Sequence, residues 1–390
     1  PRLLSSAASD VYKRQLTTPV ASLHNQMVVE SGAEDRCGAD SLFSFIVQTD
    51  SDDRSYLRII DGDDSELTWE LDLGETELIK TSPVLTDVNN DGKIEVIVGY
   101  DDASGSLNLR AYSPILSCGL TGWSPGGTHM DELLWSWSDP DLAISRPSPS
   151  PSISISGHRP TTQLLLADID HDGVDEILMS VWNQANEEIN VLALDLGTTP
   201  PTSPIWAASL DQGTHPSDPA YVKTDPSTGY VLITTTDSST GAVWLWKLNG
   251  ANGNEAWSPR SMGNTDGDSN VPHVRMPGPI VANLDSDAAL EVVVTIPTDL
   301  GGTGNADGAE YRALEVTDGQ TELWSVNAID GYADAPPLPV DTDEDGISDY
   351  LCWVTWTMTS EGLTQERSGF TGCHNVNQTI PTMEWSRTLD

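Results

Sequence analysis

Carboxylate and amide side chains recur in this chain at a spacing suited to holding a hard cation. Four stretches carry it: D-V-N-N-D-G-K-I-E at 87–95, D-I-D-H-D-G-V-D-E at 168–176, N-L-D-S-D-A-A-L-E at 283–291 and D-T-D-E-D-G-I-S-D at 341–349. Each places an oxygen-bearing side chain at positions 1, 3 and 5 and an acid at position 9; three of the four have glycine at position 6. A hard cation such as Ca2+ takes roughly six to eight oxygen ligands at about 2.3–2.6 Å. A tight loop with an oxygen at every second residue, turned back by glycine, supplies them. D-G and N-G steps are also ordinary hairpin turns. Four in-register copies that keep the ninth-position acid favour the cation.

The flanks say what positions these loops. An EF-hand loop runs about twelve residues and lies between helices. Here the flanks are short, apolar and β-branched. Pro83-Val84-Leu85, Leu164-Leu165-Leu166, Pro279-Ile280-Val281 and Pro337-Leu338-Pro339-Val340 precede the loops. Val96-Ile97-Val98, Ile177-Leu178-Met179, Val292-Val293-Val294 and Tyr350-Leu351-Cys352-Trp353 follow them. Runs of this length and composition are strands, so each acidic loop joins two strands. A second series repeats with the first. Trp69, Trp135, Trp206, Trp257, Trp324 and Trp385 recur at spacings of 51 to 71 residues, several just past turns such as Asp61-Gly62, Asn252-Gly253 and Asp318-Gly319. They read as core markers of the last strand of each unit. A degenerate fifth loop, Asp225–Gly229, falls between the second and third acidic loops and lacks their oxygens.

Each unit then reads as four strands, with no convincing amphipathic helix anywhere. A repeat of four short strands predicts an all-β fold, a β-propeller of four-stranded blades set radially. About six blades are visible, leaving open seven or more in an intact protein. Approximate blade limits are 16–74, 80–139, 160–211, 217–259, 275–328 and 334–390. The loops with their flanking strands resemble the FG-GAP and VCBS repeats, the type found in integrin α-subunit propellers, over about residues 16–390. Last-strand pieces such as V-T-D-G-Q-T-E-L-W-S also resemble quinoprotein-like propeller repeats.

The FG-GAP resemblance implies a Ca2+ ligand set: side chains at positions 1, 3, 5 and 9 and the carbonyl at position 7. The first site is then Asp87, Asn89, Asp91, Lys93 (carbonyl) and Glu95. The second is Asp168, Asp170, Asp172, Val174 (carbonyl) and Glu176. The third is Asn283, Asp285, Asp287, Ala289 (carbonyl) and Glu291. The fourth is Asp341, Asp343, Asp345, Ile347 (carbonyl) and Asp349. The third departs from the pattern, with Asn283 for the first acid and Ala288 for the glycine. It is expected to bind more weakly, because a non-glycine residue is strained where φ must be positive.

Ser5–Gln15, S-S-A-A-S-D-V-Y-K-R-Q, resembles the codon-for-codon translation of a transposon sequencing adapter, so residues 1–15 are expected to be non-native and are set aside. The chain carries 60 acids against 18 bases, a net charge of −42. Without residues 1–15 the balance is 59 against 15, or −44. Such charge repels nucleic acid and anionic lipid, and no apolar run is long enough to insert into a membrane. It suits a saline or calcium-rich medium, where salt screens self-repulsion. Of four cysteines, Cys352 and Cys373 fall on adjacent strands of the last unit and are expected to pair across a turn near Gly362. Cys37 and Cys118 sit in insertions expected on one propeller face. Pairing would place the protein in an oxidising compartment. Ser145–Pro160 is a Pro/Ser-rich stretch read as a connection between blades. Asn377-Gln378-Thr379 is a glycosylation acceptor sequence. The histidines, His129, His158, His215 and His273 among them, show no zinc spacing, and there is no G-x-S-x-G.

Three function classes stay open. One is an extracellular or cell-surface calcium propeller that binds a protein or glycan without catalysis, on the face opposite the calcium loops. The second is a secreted polysaccharide-active enzyme of the rhamnogalacturonan-lyase kind. It would need a basic or histidine-bearing cleft, and the basic residues are few and scattered. The third is a quinone-dependent dehydrogenase, a family whose adjacent cysteine pair is absent here. These are fold-level analogies.

Overall fold

The computed structural model describes residues 20–31, 42–50, 55–61, 67–72, 78–89, 94–102, 104–113, 133–144, 163–197, 201–225, 227–237, 240, 242–264, 277–285, 287, 289–298, 308–327, 333, 336–361, 364–376 and 381–389. All regular structure among them is β. It forms six antiparallel sheets in chain order, each four strands wide. Blade 1 runs from Val20–Ser31 to Leu67–Asp72, and blade 2 from Leu78–Ile79 to Leu133–Asp139. Blade 3 runs from Leu142–Ala143 to Pro204–Leu210, and blade 4 from His215–Pro216 to Glu255–Asn264. Blades 5 and 6 run from Ile280–Ala282 to Glu322–Asn327 and from Leu338–Val340 to Thr382–Leu389.

The second strand of each inner blade is buried on both faces, so its residues are apolar without alternation. The period of two survives as a choice of neighbour. Val96 and Val98 pack toward blade 1 with Leu57, Ile59 and Leu71, while Ile97 packs toward blade 3 with Ile177 and Met179. Leu178 faces blade 4, meeting Val231 and Ile233, and Leu232 faces blade 5, meeting Val292 and Val294. Val293 shares a cluster with Leu351 and Trp353 of blade 6. Five apolar clusters thus join six sheets face to face in sequence, which is the packing of a propeller. Each such side chain contributes about 1.5–3 kcal/mol on burial, as an upper estimate.

The tryptophans fasten one blade to the next. Trp206 of blade 3 donates its indole N–H to the Gly250 carbonyl of blade 4 at 2.7 Å. A Cβ on Gly253, whose φ is +70°, would lie 2.5 Å from the same indole. Trp257 of blade 4 stands likewise over Gly319 of blade 5, where a Cβ would approach to 2.6 Å. The hairpin glycines therefore serve both the turn and the preceding blade's tryptophan. Trp135, Trp206 and Trp324 are buried and Trp257 is half-buried; the side chains of Trp69 and Trp385 lie outside the described residues.

The first strand of blades 2, 3 and 4 comes in two pieces. Leu142–Ala143 and Leu165–Ala167 both pair with Glu176–Asn183. The proline- and serine-rich stretch 145–160 lies outside the described residues, and its flanks are two segments of one blade's first strand rather than two blades. The reason is register: Leu142 aligns with Asn183 and Leu165 with Leu178, so both segments extend the same edge.

The expected cysteine pair is present. Cys352 and Cys373 face each other in the hairpin of Tyr350–Glu361 and Thr364–Asn375 and form a disulfide. Cys37 and Cys118 lie outside the described residues, as do residues 1–15, His129, His158, His273 and Asn377–Thr379.

Candidate metal centres

Each acidic loop closes the hairpin between a blade's first and second strands, and its ninth residue stands at the start of the second strand. Thr86 pairs with Glu95, Ala167 with Glu176, and Ala282 with Glu291. In the last blade the Asp349 N–H donates to the Val340 carbonyl at 2.9 Å. That strand is packed on both faces, so the carboxylates of Glu95, Glu176 and Glu291 are carried to complete burial.

One oxygen of this acid has the same task in all four loops: it accepts the backbone N–H of position 2. The donors are Val88 to Glu95 at 3.1 Å, Ile169 to Glu176 at 2.8 Å, Leu284 to Glu291 at 2.6 Å and Thr342 to Asp349 at 2.8 Å. The bond folds the loop over the strand end. It also aims the position-2 side chain inward, so Val88, Ile169 and Leu284 join the clusters between their own blade and the next. Within the loops the odd-numbered acids accept local N–H groups. Asp172 donates to Asp170 at 3.2 Å and Val174 to Asp172 at 2.8 Å. Asp287 donates to Asp285 at 2.8 Å and Ala289 to Asp287 at 2.7 Å. Asp345 donates to Asp343 at 3.3 Å and Ile347 to Asp345 at 2.8 Å. In the fourth loop Asp341 also accepts from Glu344 and Gly346.

Glycine at position 6 answers a backbone need. Gly173 has φ of +92° and Gly346 of +90°, and a Cβ on either would meet nothing within 4 Å. The requirement is conformational and not steric. The residue before each of those turns by two, His171 or Glu344, is also left-handed, at +67° and +63°. Ala288, which replaces the glycine of the third loop, lies outside the described residues.

Three groups of acids converge, with one carboxylate oxygen from each member lying within 4.8 Å of the others. They are Asp168, Asp170 and Glu176; Asp341, Asp343 and Asp349; and Asp285, Glu291 and Glu315. Positions 1, 3 and 9 are thus brought together in the second and fourth loops. Asp172, Asp287 and Asp345 stand outside these groups, each holding the position-7 N–H of its loop. Asn283, Val174, Ala289 and Ile347 are half-buried. In the first loop Asp87 is half-buried, Asn89 exposed and Glu95 buried, with Ser113 donating to Glu95 at 3.2 Å. Asp91 and Lys93 lie outside the described residues.

The donor set suits a hard cation, because buried oxygens are left without a proton donor. Asp168 Oδ1, Glu176 Oε1, Asn283 Oδ1 and Glu291 Oε1 are buried atoms with no hydrogen-bond partner. An unpaired buried carboxylate oxygen is costly. Its cost shows in the acidities. Burial pushes the Glu176 carboxyl up to about 8, with the Ile169 bond opposing and the charges of Asp170, Asp172 and Asp168 adding. Burial likewise pushes Glu291 up to about 7, and Asp285, Glu315 and Asp287 add to it. A divalent cation at these oxygens removes both penalties at once.

Glu315 is absent from the ligand set read from sequence. It ends the third strand of blade 5, Gly308–Glu315, directly across from Glu291. Only the register of the hairpin reveals it.

No known family profile matches the chain, and no curated protein does. Solved structures do show likeness. The Dos1 propeller aligns over 88% of this chain and 66% of its own length at 7% identity, with a TM-score of 0.42. The C-terminal domain of Pseudomonas aeruginosa PilY1 aligns over 88% and 80% at 13% identity, TM-score 0.44. An exo-beta-1,3-galactanase from Clostridium thermocellum aligns over 94% and 82% at 12% identity, TM-score 0.37. At these identities and scores nothing about ligand or activity passes to this chain.

Proposed function

We propose that the chain is an extracellular, calcium-stabilised propeller of the FG-GAP/VCBS kind that binds a protein or glycan without catalysis. One observation carries the calcium reading: Glu176 and Glu291, the fully buried ninth-position carboxylates of the second and third loops, each keep an oxygen without a proton donor. Ca2+ is the fitting ion, since every donor is a hard oxygen and the ligands ride on a flexible loop. The proposed ligands are those named from the sequence, four sites in all. The Cys352–Cys373 disulfide supports an oxidising compartment, and the charge of −42 supports a partner other than nucleic acid. Among the described residues no helix is long and apolar enough to cross a membrane.

The partner is assigned to the face away from calcium. The acidic loops are bounded by hydrogen bonds that fix the ends of strands, and their oxygens are committed to metal. The stretch 145–160, interrupting one first strand, does not bear on this face; the connections at 263–273 and 298–308 vary in length and composition, and binding usually lives in such loops on a rigid scaffold. The calcium reading is tested by melting the protein with Ca2+ and with chelator. A ligand of the folded state alone stabilises it by about 2.7 kcal/mol per site at a hundredfold its dissociation constant. The expected result is a fall of several degrees in chelator; an unchanged melting curve would sink the assignment. A glycan array probed with and without Ca2+ tests the binding role.

A further inference from the structure

The third loop looks impaired in sequence, yet its surroundings restore what it lost. Asn283 stands where the other loops have aspartate, so the loop itself offers three carboxylates, Asp285, Asp287 and Glu291. The cross-strand register sets Glu315 opposite Glu291, and a carboxylate oxygen of Glu315 lies within 4.8 Å of those of Asp285 and Glu291. Glu291 is completely buried, and its Oε1 has no hydrogen-bond partner; the Asn283 Oδ1 atom is likewise buried and unpartnered. We propose that Glu315 is a ligand of the cation in the third loop, supplying from the neighbouring strand the negative charge that Asn283 lacks.

The other blades make the comparison. The residue across from the ninth-position acid is Asp195 in blade 3, whose Oδ1 accepts the Gly197 N–H, and it is no member of the metal group there. In blade 2 the corresponding group is the Ser113 hydroxyl, which donates to Glu95. Glu315 has one more methylene than Asp195, which lets its carboxylate reach the loop. With it the third site holds four carboxylates, as many as Asp168, Asp170, Asp172 and Glu176 bring to the second. Of the third site's four, the carboxylates of Asp285, Glu291 and Glu315 converge, and bringing like charges together without a cation is unfavourable.

The inference rests on the calcium reading, and the test separates the two. Metal-free wild type, Glu315→Gln and a control, Glu255→Gln, on an exposed strand end of blade 4, are titrated with Ca2+ by calorimetry. Each is also melted with Ca2+ and with chelator. Calcium affinity follows the number of charged ligands, so Glu315→Gln should weaken one site about tenfold or more and leave the others unchanged. Its melting temperature in chelator should equal or exceed that of wild type, because a repelling charge is gone. Its gain on adding Ca2+ should be smaller. Unchanged stoichiometry and affinity in Glu315→Gln, with wild type binding Ca2+ normally, would overturn the role of Glu315 alone. A lower melting temperature in chelator would also overturn it, since Glu315 would then hold structure and not metal. No calcium uptake by wild type would bring down the calcium reading and this inference together.

Discussion

Replacing Glu176 by glutamine separates what the buried acid does for the fold from what it would do for the proposed metal. Glutamine keeps a carbonyl oxygen to accept the Ile169 N–H, the 2.8 Å bond that folds the loop. It removes the charge. In the metal-free protein that charge is a burden: the carboxyl, ordinarily at 4.5, is pushed up to about 8 by burial. A group whose folded value is raised gives stability that is fully present below its unfolded value. That stability is lost as pH rises through the folded value. Since pH 7 lies about two and a half units above the ordinary value and still below the folded one, the loss there is roughly 3 kcal/mol at about 1.4 kcal/mol per unit. Unfolding entropy near 2.1 cal/mol/K per residue turns this into about 4 °C for a chain of 390 residues. In chelator at pH 7, Glu176→Gln should therefore melt about 4 °C above wild type, and the gap should close as pH falls toward 5. In excess Ca2+ the variant should lack the increment of one site, about 2.7 kcal/mol at a hundredfold the dissociation constant. Scanning calorimetry at pH 5, 6, 7 and 8, with and without Ca2+, reads all of this. A variant that melts below wild type in chelator, at every pH, would refute the reasoning. The ionised carboxylate would then be stabilising without any cation.

Gly173→Ala should cost about 1–2 kcal/mol with no repacking, because the +92° backbone is strained for alanine while a Cβ meets nothing. Thermal melting in Ca2+ against chelator checks that the loss is larger with the ion bound. Gly253→Ala should cost about 3 kcal/mol or more, adding a clash with the Trp206 indole to positive-φ strain; tryptophan fluorescence should shift as the indole is displaced. Breaking the Cys352–Cys373 bond, by reduction or by a double serine variant, should lower stability by about 2–4 kcal/mol, measured by denaturant unfolding. An unchanged midpoint would show that the hairpin register alone holds the last blade.

What was legible in the sequence is local. The spacing of Asp168, Asp170 and Glu176 already marked acids that converge, and the strands on either side stated the sheet. Gly173 and Gly346 announced left-handed backbone by their type alone. The cysteine pair was legible because one hairpin turn fixes the register between Cys352 and Cys373. What only the tertiary structure decided lies between strands and between blades. Glu315 stands 24 residues from Glu291 and reaches the third loop through a cross-strand register that no short motif encodes. The tryptophans repeat in the sequence, but that Trp206 sits on Gly253 and Trp257 on Gly319 follows from stacking one blade upon the next. The two-piece first strands follow from an edge that accepts any segment in register, whatever the length of chain between the pieces. Charges and turns act over a few residues and show themselves in one dimension. Burial on both faces of a strand, and the partners it brings together, exists only once the sheets are packed.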